Sequence, residues 1–311
     1  MDIQLSADQP FMFCPYWMAQ SEQSALKNII DDLLANGIIC ESSSDYCSPV
    51  LLVKKKCGEW RMCIDYRKLN SLTVQTNFPL PRIDEQIDHL QCGAVFSCLD
   101  MKSGYHQVPL EERVKRFASF TTPFGQFELN RVGFGLTNAP QFVQKFMSSL
   151  LRSVSIFASV YIDDILVHST TPEEALNHLE SVLKIMRAEN LTLSLRKCQF
   201  LVETVAFLGF EISNGQVRPG IDKTAAVQQF PVPKSVHNVR QFLCLTGFFR
   251  HFVPRYAQIA KPLTELTKKT TQWKWTAVED AAFCKLQSIL IERPVLQIVK
   301  LKYILMRVHW V

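Results

Sequence analysis

Apolar and polar residues along the chain follow helical and strand-like periods in turn. Within residues 21–39, Leu26, Ile29, Ile30, Leu33 and Leu34 recur at the spacing of one helix face, and Gly37 closes the run. Ser21 or Ser24 is the expected N-cap. Residues 138–151 predict a second amphipathic helix, with Asn138 as its cap, Pro140 in its first turn, and Val143 and Met147 on its apolar face. Residues 172–190 predict a third, opened by Thr171-Pro172-Glu173-Glu174. Beyond residue 219 the period is helical, with interruptions expected at Pro231, Pro233, Pro254 and Pro262.

Between these helices lie short strand-like runs. Residues 49–53 and 61–64 flank Gly58 and predict a hairpin whose tip carries Lys54, Lys55 and Lys56. Cations there either keep an edge soluble or reach for phosphate. Residues 94–99 read as a buried strand delivering Asp100 at its end. Further hairpins are expected over 117–132, around Pro123 and Gly125, and over 205–218, around Asn214-Gly215. The runs 156–162 and 165–169 are separated by Asp163 and Asp164, the spacing of a tight hairpin. Aspartate suits a turn, yet two adjacent carboxylates at the tip of an apolar hairpin repel each other and call for a cation. From these residues alone, turn and metal ligand both remain open.

Composition narrows the class. The chain has 311 residues, 47% hydrophobic and 20% charged, enough core for about two domains and unlike a disordered or fibrous protein. It contains no uncharged apolar run of about 18 residues, so no transmembrane helix is expected, and its first residues lack the apolar core of a secretory signal. None of its ten cysteines has C-x-x-C spacing, which argues for reduced thiols in an intracellular protein over zinc or disulfide chemistry. Charge is uneven: residues 1–214 hold 19 Lys+Arg against 24 Asp+Glu, a net of −5, whereas residues 215–311 hold 15 against 5, a net of +10. A basic lobe beside an acidic body suits a polyanionic partner.

Asp100 at one strand end and Asp163-Asp164 at a hairpin provide the three carboxylates that a two-cation phosphoryl-transfer site requires. The segments FSCLDMKSGYHQV, FGLTNAPQFVQ, YIDDILVHS and FLGFEIS occur in that order. They resemble the polymerase motifs of reverse transcriptases from gypsy-type, retroviral-like LTR retrotransposons. SPVLLVKKK, WRMCIDYRKLN and RQFLCLTGFFRHFVPRYAQIAKPLTEL resemble the fingers and thumb segments of that family, and the likeness covers residues 15–297.

The resemblance implies an α+β right-hand polymerase fold: fingers from residues 1–74 and 108–137, a palm of antiparallel sheet on helices from 75–107 and 138–214, and a helical thumb from 215–293. It implies RNA-directed DNA polymerase activity, with Asp100, Asp163 and Asp164 holding two Mg²⁺ ions, for which Mn²⁺ can substitute. Lys55 and Arg61 match positions that hold the nucleotide triphosphate, and Tyr105 the position that meets the sugar. Phe134 and Gly135 match the lining of the nucleotide pocket, Lys197 a candidate acid for the leaving pyrophosphate, and Phe207, Leu208 and Gly209 the hairpin that positions the primer terminus. The implied partners are an RNA or DNA template with its primer and deoxynucleoside triphosphates. No membrane partner is implied, and the expected setting is cytoplasmic, in particles, or nuclear.

Some residues depart from the family pattern. Cys57 replaces Asp or Asn in the fingers tip, and Val132-Gly133 replaces Met-Pro, so that Gly133 is expected to loosen the pocket. No acidic residue follows Glu292. Residues 294–311 therefore read as the truncated start of a connection or RNase H region, and no RNase H, protease or integrase activity is expected. The alternative reading is a decayed retroelement product that binds nucleic acid without catalysis.

Overall fold

A computed structural model describes residues 1–55, 58–76, 78–88, 90, 93–213, 215–292 and 296–297. Lys56 and Cys57 of the basic hairpin tip, Asn214 and the C-terminal residues 298–311 lie outside them. In chain order the elements are α1 (Gln20–Ala35), β1 (Ile39–Glu41), β2 (Ser48–Lys54), β3 (Trp60–Ile64), α2 (Arg67–Leu72), α3 (Ile83–Asp88), β4 (Val95–Asp100), α4 (Glu112–Lys115), β5 (Ser119–Thr122), β6 (Gly125–Leu129), α5 (Ala139–Leu150) and β7 (Ala158–Tyr161). They continue with β8 (Asp164–Ser169), α6 (Pro172–Ala188), β9 (Gln199–Val202), β10 (Thr204–Phe207), β11 (Phe210–Ser213), β12 (Gln216–Pro219), α7 (Ile221–Gln228), α8 (Val236–Gly247), α9 (Tyr256–Glu265), α10 (Ala277–Ile291) and β13 (Leu296–Gln297).

Two compact units form. Unit 1 comprises Met1–Pro81, Leu99–Ile165 and Glu180–Cys198, and unit 2 comprises Arg82–Cys98, Leu166–Leu179 and Gln199–Val311. Unit 1 is built on a five-stranded sheet in the order β1-β6-β5-β2-β3. All its pairs are antiparallel except β2 with β5, where Ser48 faces Phe120. Helix α1 starts one residue before the expected run. Its N-cap is Ala19, whose N–H donates to Glu22 at 3.0 Å, so neither Ser21 nor Ser24 caps it. The Glu22 side chain, three residues on, reaches back to satisfy the N–H of the N-cap residue, the reciprocal half of a capping box. Gly37, at φ +64, ends the helix in the left-handed conformation that glycine adopts freely. Asn138 precedes α5 as expected, but its side chain bonds Val74 and Thr76 and leaves the helix end uncapped.

In unit 2, β10, β11 and β12 form an antiparallel meander, and β13, reached after helices α7 to α10, pairs antiparallel with β12. The expected strand 205–212 is therefore two strands, broken at Leu208-Gly209. Phe210 packs among Phe248, Phe249 and Phe252, and Phe242 packs against Phe230 and Phe283. Pro262 does not interrupt the helical pattern as expected but lies inside α9, flanked by buried Ala260 and Leu263. Burial of that face holds the helix together across the lost backbone bond.

Candidate active site

Asp100 closes β4 with both backbone groups engaged. Its N–H donates to Cys198 Sγ at 3.4 Å, and its carbonyl accepts from Ser194 at 2.8 Å. Asp163 and Asp164 follow β7, but the turn differs by one residue from the expected one: Ile162 and Asp163 form it, and Asp164 opens β8. Ile162 carries the turn at φ +59, a conformation rare for a β-branched residue. Its N–H donates to Oε1 of Gln144 on α5 at 2.6 Å. The short helical turn Gly104–Gln107 lies against Asp163. A Cβ on Gly104 would stand 2.8 Å from that of Asp163, so only glycine fits.

The carboxylates sense one another. Burial first, then the negative charges of Asp163 and Asp100, push the Asp164 carboxyl up to about 6, with Lys197 opposing. Asp163 is also raised, chiefly by burial, while its own backbone N–H and Lys197 counter the effect of Asp100. Lys197 Nζ contacts both oxygens of Asp100, at 3.1 and 3.2 Å.

A cavity of about 580 Å³ in unit 1 is lined by Lys55, Arg61, Phe134, Gly135, Asp163 and Lys197, among others. Six residues singled out in the sequence thus meet in one space. Lys55 bonds Glu59 at 2.9 Å in an exposed pair that is weak in water. The Arg61 guanidinium lies 4.8 Å from the centroid of the Phe134 ring. Tyr105 stands behind this wall. It is only 8% exposed, with its ring 4.5 Å from that of Phe134. His106 packs edge-on to the same ring, and burial, then the Arg61 charge, lowers its pKa.

Two pocket features had no periodic signal. Asn70 spans the loop before α5, donating to the Gly135 carbonyl at 2.7 Å and accepting from Thr137 at 2.9 Å. Gly135 itself sits at φ +92. At Gly133 a Cβ would meet Leu129 Cδ1 at 2.4 Å, so close packing gives a second reason for a glycine there.

The primer-hairpin residues belong to unit 2. Phe207 is buried, and Leu208 and Gly209 form a two-residue turn at φ +50 and +84. The Gly209 carbonyl accepts from Gly220 at 3.0 Å. A Cβ on Gly220 would stand 2.7 Å from that carbonyl oxygen.

Residues 53–212 match the family model described as reverse transcriptase (RNA-dependent DNA polymerase), and the chain belongs to that family. Its relatives are retroelement polyproteins, in keeping with the LTR-retrotransposon likeness of its motifs. It is 36% identical over 298 residues to the retrovirus-related Pol polyprotein from transposon 297 of Drosophila melanogaster, covering 94% of this chain and 28% of that protein. To the Pol polyprotein from transposon 412 of the same organism it is 33% identical over 302 residues, covering 95% and 24%. To the transposon Tf2-3 polyprotein of Schizosaccharomyces pombe it is 33% identical over 283 residues, covering 91% and 21%. The chain thus spans about a quarter of the length of these relatives.

Among solved structures, the foamy viral protease-reverse transcriptase dRH in complex with double-stranded DNA matches at TM-score 0.85 and 27% identity, covering 92% of this chain and 51% of that one. The foamy viral protease-reverse transcriptase with an RNA/DNA hybrid matches at 0.80 and 26%, covering 93% and 39%. The fold is the α+β right-hand polymerase fold. Among the described residues, no helix is long and apolar enough to cross a membrane.

The donor set suits Mg²⁺, since all three acidic side chains offer hard oxygen ligands and their mutual repulsion favours a cation. Among the described residues no three His, Cys, Asp or Glu side chains converge as a closed ligand group. Asp100 instead faces Lys197, which offsets part of the negative charge.

Proposed function

We propose that this chain is the RNA-directed DNA polymerase region of a retrotransposon Pol polyprotein, extending a primer 3′-hydroxyl with deoxynucleoside triphosphates on an RNA or DNA template. One observation carries the reading: a single cavity presents Lys55 and Arg61 to the same space as Asp163 and Lys197. A triphosphate needs cations, and its transfer needs carboxylates to hold metal beside it.

Asp100, Asp163 and Asp164 would hold two Mg²⁺ ions, with Mn²⁺ as the substitute. When bound, the ions supply the positive charge that activates the 3′-hydroxyl and stabilises the leaving pyrophosphate. Arg61 makes forked hydrogen bonds to phosphate, and Lys55 leaves its exposed glutamate to act as a point charge. Phe134 and Gly135 line the place of the sugar and base. Tyr105 backs that wall and excludes a 2′-hydroxyl. Lys197 gives a proton to the departing pyrophosphate. Phe207, Leu208 and Gly209 place the primer terminus.

In this reading residues 1–74 and 108–137 act as fingers, 75–107 and 138–214 as palm, and 215–293 as thumb. The basic excess after residue 214 grips phosphates without reading sequence. Among the described residues no cysteines are joined in a disulfide, which suits work in the reducing cytoplasm.

The test is extension of a labelled primer on an RNA template in Mg²⁺. The parent chain should extend it. Asp100→Asn and Asp163→Asn should abolish extension while keeping primer–template affinity within about threefold, and Asp164→Asn should be milder. Binding without extension by the parent chain would favour the alternative of a nucleic-acid binder without turnover.

A further inference from the structure

The turn that presents Asp163 depends on a side chain from another element. Gln144 lies on the buried face of α5 between Val143 and Met147, and is itself 1% exposed. A buried amide is costly unless its hydrogen bonds are made, and those of Gln144 converge on one place. Its Oε1 accepts from the Ile162 N–H at 2.6 Å. Its Nε2 donates to the Val160 carbonyl at 3.1 Å, with Ser148 Oγ as a further partner at 2.9 Å. The two backbone groups it binds flank Tyr161, and the second immediately precedes Asp163.

Ile162 is the residue under strain. A left-handed backbone brings its Cβ too close to its own carbonyl, and branching makes that worse. An unclamped turn would relax toward negative φ. Such a rotation re-aims the next side chain, which is Asp163.

We propose that Gln144 is a positioning residue for polymerisation: by bonding the Val160 carbonyl and the Ile162 N–H it holds Ile162 left-handed and so fixes the direction of the Asp163 carboxylate. The proposal rests on Asp163 being catalytic. Gln144 lies behind the turn and acts through backbone alone.

The test is a double-mutant cycle. Gln144→Met keeps the length of the side chain and removes its hydrogen bonds. It should lower kcat by about 10- to 100-fold, the scale of a small misplacement of a reacting group, and leave KM for the nucleotide and Kd for primer–template within about threefold. Gln144→Glu keeps the acceptor for Ile162 and should fall between parent and Gln144→Met; it also serves should Gln144→Met fold poorly. In an Ile162→Gly background the strain is gone, because glycine adopts positive φ freely. There the Gln144→Met penalty should shrink to a few-fold. Equal penalties in both backgrounds would overturn the proposal, since a packing role is indifferent to residue 162.

A second arm needs no activity. Hydrogen exchange of the Ile162 amide should be slow in the parent and accelerate in Gln144→Met, while amides of the β2–β3 hairpin stay unchanged. Unchanged protection of Ile162 would also overturn the proposal. If the parent fails to extend primers, the polymerase reading falls, and the exchange arm still decides whether Gln144 holds the turn.

Discussion

Lys197 and Asp100 form a two-pronged contact, Nζ lying 3.1 Å from one carboxylate oxygen and 3.2 Å from the other. The lysine thus neutralises Asp100 much as a bound cation would. With side-chain exposures of 67% and 26%, the pair is cheap to open.

Lys197→Met therefore has two opposed effects. Without a competing cation, Asp100 is freer to take metal, so the Mg²⁺ concentration giving half-maximal extension should fall. Without the acid, the rate at saturating Mg²⁺ should also fall, by about 10²-fold for a lost general acid. A Mg²⁺ titration of primer extension reads both numbers. If neither moves, Lys197 acts in neither role.

The raised carboxyl of Asp164 sets a pH dependence for the metal-free protein. Its value of about 6 lies above the ordinary 3.8, so the fold favours the protonated acid. That stability is fully present below about pH 4 and is lost as the pH rises through 6. Calorimetry in chelator should show the Asp164→Asn variant gaining Tm on the parent across this window. Asp163, raised in the same direction, adds to the effect in both proteins. A constant difference between the two would contradict the burial argument.

Sugar selection should depend on a pair of rings. Tyr105 is too buried to meet a sugar without Phe134, which packs against it and is 42% exposed at the cavity. Tyr105→Ala should raise ribonucleotide use relative to deoxyribonucleotide by at least about tenfold, the scale of opening a close-fitting pocket. Phe134→Ala should raise it too, and the double variant should do little more, because both remove one wall. Competition assays with paired nucleotides give the ratio. Additive effects would mean two independent contacts.

Gly220→Ala should act on the primer. Its new methyl would press on the Gly209 carbonyl, a backbone atom that yields only if the Leu208-Gly209 turn moves. Overpacking of this kind costs about 1–3 kcal/mol. We expect a higher KM for primer–template with an unchanged nucleotide KM. The reverse pattern would detach this turn from the primer.

The hairpin of β2 and β3 and the helix α5 were legible because their faces are set by burial, which periodicity records directly. The turn before Asp164 was misplaced by one residue for the same reason. Ile162 reads as strand by its apolar character, and only its bond to Gln144 reveals it as the turn. Gln144 was invisible, since a polar residue amid a helix's apolar positions carries no sign of what it will bind. Nor does a sequence show that Leu129 fills the space a Cβ at residue 133 would need. That Lys55, Arg61 and Asp163 share one cavity was foreshadowed by motif resemblance, which encodes chemistry rather than packing.

Gly104 has one more consequence. With a single hydrogen where other residues carry carbon, it lets the backbone just ahead of Tyr105 pack so near Asp163 that an added Cβ would stand only 2.8 Å from the aspartate's own. The spacing between the Tyr105 ring, proposed to meet the sugar, and the Asp163 carboxylate, proposed to lie beside the reacting phosphate, is thereby written into the backbone, as on a ruler with no slack. Any side chain at this position would lengthen that interval, and a polymerase working as proposed would then measure every incoming nucleotide against the wrong mark.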